Sequence, residues 1–128
     1  MIYLDTSVAL AQLLAEDRVP PVAVWDETLV SSRLLEYEVW GRIHARNLGA
    51  THAETVRHLL GRVAIIELSR QVLARALEPF PAPVRTLDAL HLASLAFLRD
   101  RGQRVELASY DGRMQACARL LAIPLYPL

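Results

Sequence analysis

The sequence predicts an α/β fold with a mainly parallel central sheet, and three observations carry that expectation. Four short runs rich in strand formers recur along the chain: "IYL" at 2–4, "TLVSS" at 28–32, "VAIIEL" at 63–68 and "VELAS" at 105–109. Stretches of helical length separate them, so strands alternate with helices. The runs are apolar rather than regularly alternating, as in strands covered on both faces. Right-handed crossovers would then place helices on both sides of the sheet. At 128 residues the chain is expected to form one domain, residues 1–128, burying its own core without disulfides or metal staples.

The elements follow in order. Residues 2–4 are closed by "DTS", and residues 7–15, "SVALAQLLA", read as a helix. "RVPPVAVWDE" is a short segment whose prolines suit a first helical turn. The strand at 28–32 passes into a helix over 33–46. "Gly49-Ala50-Thr51" breaks the chain and caps another helix, which reaches about residue 61. The strand at 63–68 is followed by Ser69, the cap of a helix to about residue 78. "PFPAPV" forces a loop, and Thr86 caps a helix that ends near Gly102. A strand at 105–109, a helix at 111–121 and a terminal edge segment, "PLYPL", complete the chain.

Composition narrows the chemistry. Fourteen basic and 14 acidic residues give a net charge of +0, without the basic excess usual in nucleic-acid binders. Every basic residue is arginine. Biased codon usage is the plainer explanation, although arginine forks also suit phosphate recognition. The absence of lysine removes P-loop phosphate binding and lysine Schiff-base catalysis. Hydrophobic residues make up 53%, slightly rich for a small domain, which points to a buried sheet, a partner surface, or both. No run approaches the ~18 apolar residues of a membrane span. The start, "MIYLDTSVAL", lacks the basic region of a signal peptide. A lone Cys117 fits a reducing, cytoplasmic setting. There is no Ser/His/Asp elbow, CxxC or GxGxxG.

The acids are more informative. In a parallel sheet, strand C-termini and helix N-termini share the edge where ligand sites form. Asp5 follows the first strand and Asp111 the strand at 105–109, while Asp88 lies in the first turn of its helix. Glu38 sits further along a helix, but helical side chains lean toward the N-terminus. Each has an ordinary structural explanation: an Asx-turn or cap for Asp5, helix-dipole stabilisation for Asp88, a cap for Asp111, solvation for Glu38. Together they are harder to explain that way. Two carboxylates about 4 Å apart repel by roughly 4 kcal/mol at an effective dielectric near 20. A cation offsets that cost, and hard oxygen ligands suit Mg²⁺ or Mn²⁺. His91, one turn after Asp88, is a candidate ligand or proton shuttle, or simply a packed histidine with one hydrogen bond. Glu36 competes with Glu38. His44, His52 and His58 read as surface residues, Cys117 as a small core residue, and Trp25 and Trp40 as packing anchors.

These residues resemble those of the PIN-domain ribonucleases, specifically VapC-like toxins of type II toxin–antitoxin pairs. "YLDTSV" resembles the family's opening strand and first acid. "SSRLLEYEVW" resembles its second block, where a serine precedes the acid by six residues; Ser32 to Glu38 fits and so selects Glu38 over Glu36. "VRTLDALHLASL" contains the most specific element, and "ASYDGRM" resembles the final strand and acid. The resemblance covers essentially the whole chain. It implies an α/β/α sandwich and a Mg²⁺-dependent endoribonuclease, with Mn²⁺ as a substitute. It also implies a homodimer neutralised by a cognate antitoxin. By position, Asp5, Glu38, Asp88 and Asp111 carry over as metal-binding catalytic acids, with Thr6, Ser7 and Ser109 as supporting hydroxyls. No fifth acid directly follows Asp111, which leaves one or two metal ions open. Other readings are a PIN fold kept as a binding module and a housekeeping nuclease without an antitoxin. A phosphoacceptor receiver domain would need a lysine, and a haloacid-dehalogenase-type phosphatase would need an acid where Ser7 stands.

Overall fold

The computed structural model describes residues 1–128. Its four strands are β1 (Ile2–Leu4), β2 (Leu29–Ser32), β3 (Val63–Ile66) and β4 (Glu106–Ala108). They pair in the order β3-β2-β1-β4, every pair parallel. Six helices connect them: α1 (Thr6–Leu14), α2 (Leu34–Ala45), α3 (Gly49–Gly61), α4 (Arg70–Leu77), α5 (Thr86–Asp100) and α6 (Gly112–Leu120). A 3₁₀ turn, Val22–Asp26, follows the paired prolines.

The alternation of side chains along each strand separates two cores. Ile2, Leu4, Leu29, Val63 and Ala108 face α1, α2 and α3, where they pack on Val8, Leu35, Val39 and Val56. Tyr3, Val30 and Leu107 face the other way, onto Leu92 and Leu95 of α5 and Met114 and Cys117 of α6. The register keeps like faces together: Ile2 is level with Leu29, and Tyr3 with both Val30 and Leu107. This is the expected α/β/α sandwich, and it explains why the strands carry no polar face. No helix is long and apolar enough to cross a membrane.

Several boundaries differ from those expected. The strand expected at 63–68 stops at Ile66, because its partner β2 ends at Ser32 and turns into α2. Thr86 is not a cap: Arg85 holds that position, makes no side-chain cap, and Thr86 is the first helical residue. Likewise α3 starts at Gly49 behind Leu48, and Thr51 lies within its first turn, its hydroxyl donating to the Leu48 carbonyl. Ser69 does cap α4, accepting from the Val72 N–H. The terminal segment lies at the sheet edge, where Leu125 bridges to Leu107.

Candidate active site

The strand order places β1 between β2 and β4, so the chain moves outward to β3 and then returns to the far side of β1. That reversal creates a crevice at the strand C-termini. Asp5, directly after β1, is almost fully buried there and caps α1. Its Oδ2 accepts from Ser7 Oγ at 2.6 Å, Ser109 Oγ at 2.8 Å and the Ser7 N–H at 3.4 Å. All three bonds use one oxygen, which leaves Oδ1 without a protein donor. The same serines accept in turn: Ser7 Oγ from the Tyr110 N–H and Ser109 Oγ from the Asp111 N–H, both at 3.0 Å. The two hydroxyls thereby tie the loop after β1 to the loop after β4. Asp111 caps α6 through Oδ1, which accepts from the N–H groups of Arg113 and Met114.

Glu38 reaches the crevice from the second turn of α2. Its Oε1 accepts from Thr6 Oγ1 at 3.0 Å and lies 2.5 Å from His91 Nε2. His91 is buried, and its Nδ1 lies 2.8 Å from the Tyr3 hydroxyl, which also accepts from the Ser32 N–H. Burial above all pushes the Tyr3 hydroxyl well above its usual pKa, so it is present as a neutral phenol. Glu36 instead faces Arg33, at 3.2 Å, which also binds Glu67. Geometry thus separates the two candidate glutamates.

Asp88 begins α5 on the same edge. Its Oδ2 is buried without a hydrogen-bond partner; Arg85 Nε stands 3.6 Å away. Burial first, then the negative charges of Asp111 and Asp5, push its carboxyl above the ordinary aspartate range, while Arg85 and His91 pull the other way. The Arg85 guanidinium also stands 3.5 Å from Asp111 Oδ2, between the two acids. Asp5, Glu38, Asp88 and Asp111 line one open pocket, together with Thr6, Ser7, Arg42 and Arg85. Ser109 lies behind it, on Asp5.

As the side chains stand, no set of three or more His, Cys, Asp or Glu is arranged to hold a metal ion. Each acid has a local partner: serines for Asp5, Thr6 and His91 for Glu38, Arg85 for Asp88 and Asp111. The donor set nevertheless fits a hard divalent cation, since every pocket acid offers carboxylate oxygen and one buried oxygen of Asp88 has no donor. Arg85 is largely exposed, so its ion pairs hold it by only about 0–1 kcal/mol.

Arg42 and Arg85 are pocket residues the sequence did not single out, because nothing local distinguishes them from the other arginines. His44 and His58 are exposed, His52 is half-buried, and Cys117 is buried in the second core. Trp25 and Trp40 pack against the first core. A larger apolar groove, between α4, the proline-rich loop and α5, is lined by no ionisable side chain.

Residues 2–120 match the family model of the PIN domain. The chain belongs to the PIN domain family. This PIN domain is similar to ribonuclease VapC47 of Mycobacterium tuberculosis (strain CDC 1551 / Oshkosh), with 30% identity over 126 residues, 93% of this chain and 90% of that protein. Its fold is similar to the crystal structure of M. tuberculosis VapC20, described as a toxin that cleaves the sarcin-ricin loop. The TM-score is 0.65 at 18% identity, covering 91% of this chain and 94% of that one.

Proposed function

We propose that this PIN domain is a divalent-metal-dependent endoribonuclease and the toxin of a toxin–antitoxin pair. The observation that carries the reading is the pocket itself: four carboxylates from four separate segments, one with a buried oxygen that makes no hydrogen bond and only a 3.6 Å ion pair with Arg85. The ribonuclease and toxin relatives support the choice of RNA as substrate. Asp5, Glu38, Asp88 and Asp111 would hold Mg²⁺ or Mn²⁺. When bound, such an ion activates water and polarises a phosphate. Ser7 and Ser109 orient Asp5, and Thr6 orients Glu38. Arg42 and Arg85 are the local cations available to the RNA backbone, consistent with the neutral net charge. No serine or cysteine nucleophile is required. We place the protein in the cytoplasm as a homodimer bound by its antitoxin.

The test is RNA cleavage by purified, antitoxin-free protein. Cleavage is expected with Mg²⁺ or Mn²⁺ and is expected to stop in EDTA. Asp5→Asn and Asp88→Asn are each expected to lose most of it. Full activity in EDTA would remove the metal mechanism. Specific RNA binding without cleavage in any metal would leave a binding module.

A further inference from the structure

We propose that Tyr3 and His91 form a positioning chain that holds Glu38 by one oxygen and presents the other to the pocket. The inference rests on the metal-nuclease reading of that pocket. The chain starts in the sheet, where the Ser32 N–H donates to the Tyr3 hydroxyl at 3.1 Å. The hydroxyl lies 2.8 Å from His91 Nδ1, and His91 Nε2 lies 2.5 Å from Glu38 Oε1. The two ends fix the direction of the bonds they make. A backbone N–H only donates and a carboxylate only accepts. His91 Nε2–H therefore faces Glu38, and in the neutral imidazole Nδ1 accepts from the Tyr3 hydroxyl. The Tyr3 and His91 rings meet edge to face, 83° apart, which fixes the imidazole plane as well.

Three features distinguish this from ordinary packing of a histidine. Both rings are buried, at 0% and 1% exposure, so solvent does not substitute for the bond between Tyr3 and His91. All donors reaching Glu38, from His91 and Thr6, converge on Oε1 and leave Oε2 without a protein donor. The residues joined belong to four elements, β1, β2, α2 and α5, so the chain aligns a flexible side chain of α2 with Asp5 after β1 and Asp88 of α5. Removing hydrogen-bonded supports of ligating groups typically costs 10–100-fold in metal affinity or activity.

The test measures Mn²⁺ binding to the purified protein by electron paramagnetic resonance, alongside RNA cleavage and thermal melting. His91→Leu is expected to raise the Mn²⁺ dissociation constant by about tenfold or more and to lower kcat, with KM for RNA little changed. Tyr3→Phe removes one hydroxyl, keeps the ring, and is expected to give a smaller shift in the same direction. His91→Gln restores an N–H near the Nε2 position and is expected to recover most of the affinity. A lowered melting temperature with unshifted Mn²⁺ affinity in His91→Leu and Tyr3→Phe would reduce the chain to a fold element and overturn the inference. If His91→Leu fails to fold, Tyr3→Phe and His91→Gln decide it: unshifted affinity in Tyr3→Phe overturns it. Wild-type protein that neither binds Mn²⁺ nor cleaves RNA would overturn the nuclease reading and this inference together. Wild-type binding and cleavage with unaffected variants would overturn the positioning chain alone.

Discussion

Asp88 sits where burial and two neighbouring acids oppose its charge, and the direction of its pKa shift fixes a stability prediction. A carboxyl with a raised folded-state pKa binds its proton more readily in the folded protein than in the unfolded chain. Its contribution to stability therefore falls as pH rises from the unfolded-state value, near 3.8, through the higher folded-state value. Without metal at neutral pH, Asp88→Asn is expected to be more stable than wild type, with the advantage shrinking as pH falls through that window. With Mg²⁺ at one hundred times its dissociation constant, wild type is expected to gain about 2.7 kcal/mol and Asn less, because its neutral amide is the weaker ligand. Four melting curves, each protein in EDTA and in Mg²⁺, check both signs. A small loss for Asn in both conditions would mark Asp88 as a helix-dipole acid. At this scale the acids were legible in advance because strand ends and helix starts are local signals. The partners of His91 were not: Tyr3 lies 88 residues away and Glu38 lies 53, and neither spacing has a local signature.

The elements meet at the crevice through Ser7 and Ser109, which join the start of α1 to the loop between β4 and α6. Ser109 is buried, donates to Asp5 and accepts from the Asp111 backbone. Ser109→Ala is expected to cost about 1–3 kcal/mol, since it leaves the Asp111 N–H unpaired. Urea unfolding measures this, and nuclease activity is expected to fall with it as Asp5 loses a donor. Leu95 of α5 is fully buried against the sheet, and Leu95→Ala is expected to lose about 2–5 kcal/mol in the same assay. Element identities were readable because apolar runs and breakers are local. Element ends were less so. Arg85, without a capping side chain, holds the cap position expected for Thr86, and β3 ends where its neighbour turns away. Both outcomes depend on tertiary context rather than on the residue at the boundary.

For the whole molecule, the apolar composition and the exposed Leu73 and Leu77 beside the groove fit association with another chain. Light scattering of the isolated chain at tens of micromolar is expected to give the mass of two copies. A strict monomer would count against the homodimer. The layered fold class followed from alternation alone. The strand order did not, because any order of four apolar strands leaves the same pattern along the chain. The order β3-β2-β1-β4 brings Asp5 beside Ser109 and Asp111, and so creates the crevice that strand alternation could only anticipate.

That order also imposes a timetable on synthesis. Ser109, which helps complete the pocket, follows Asp5 by 104 residues. At about 5–20 residues per second, the ribosome takes roughly 5–20 s to pass from one to the other. Throughout that interval β1 lacks its β4 neighbour, and Asp5 lacks Ser109 and faces no Asp111. Until that stretch has been made, the growing chain holds no complete acidic pocket. A chain interrupted anywhere before β4 is therefore expected to lack the complete pocket, whatever the state of its first three strands.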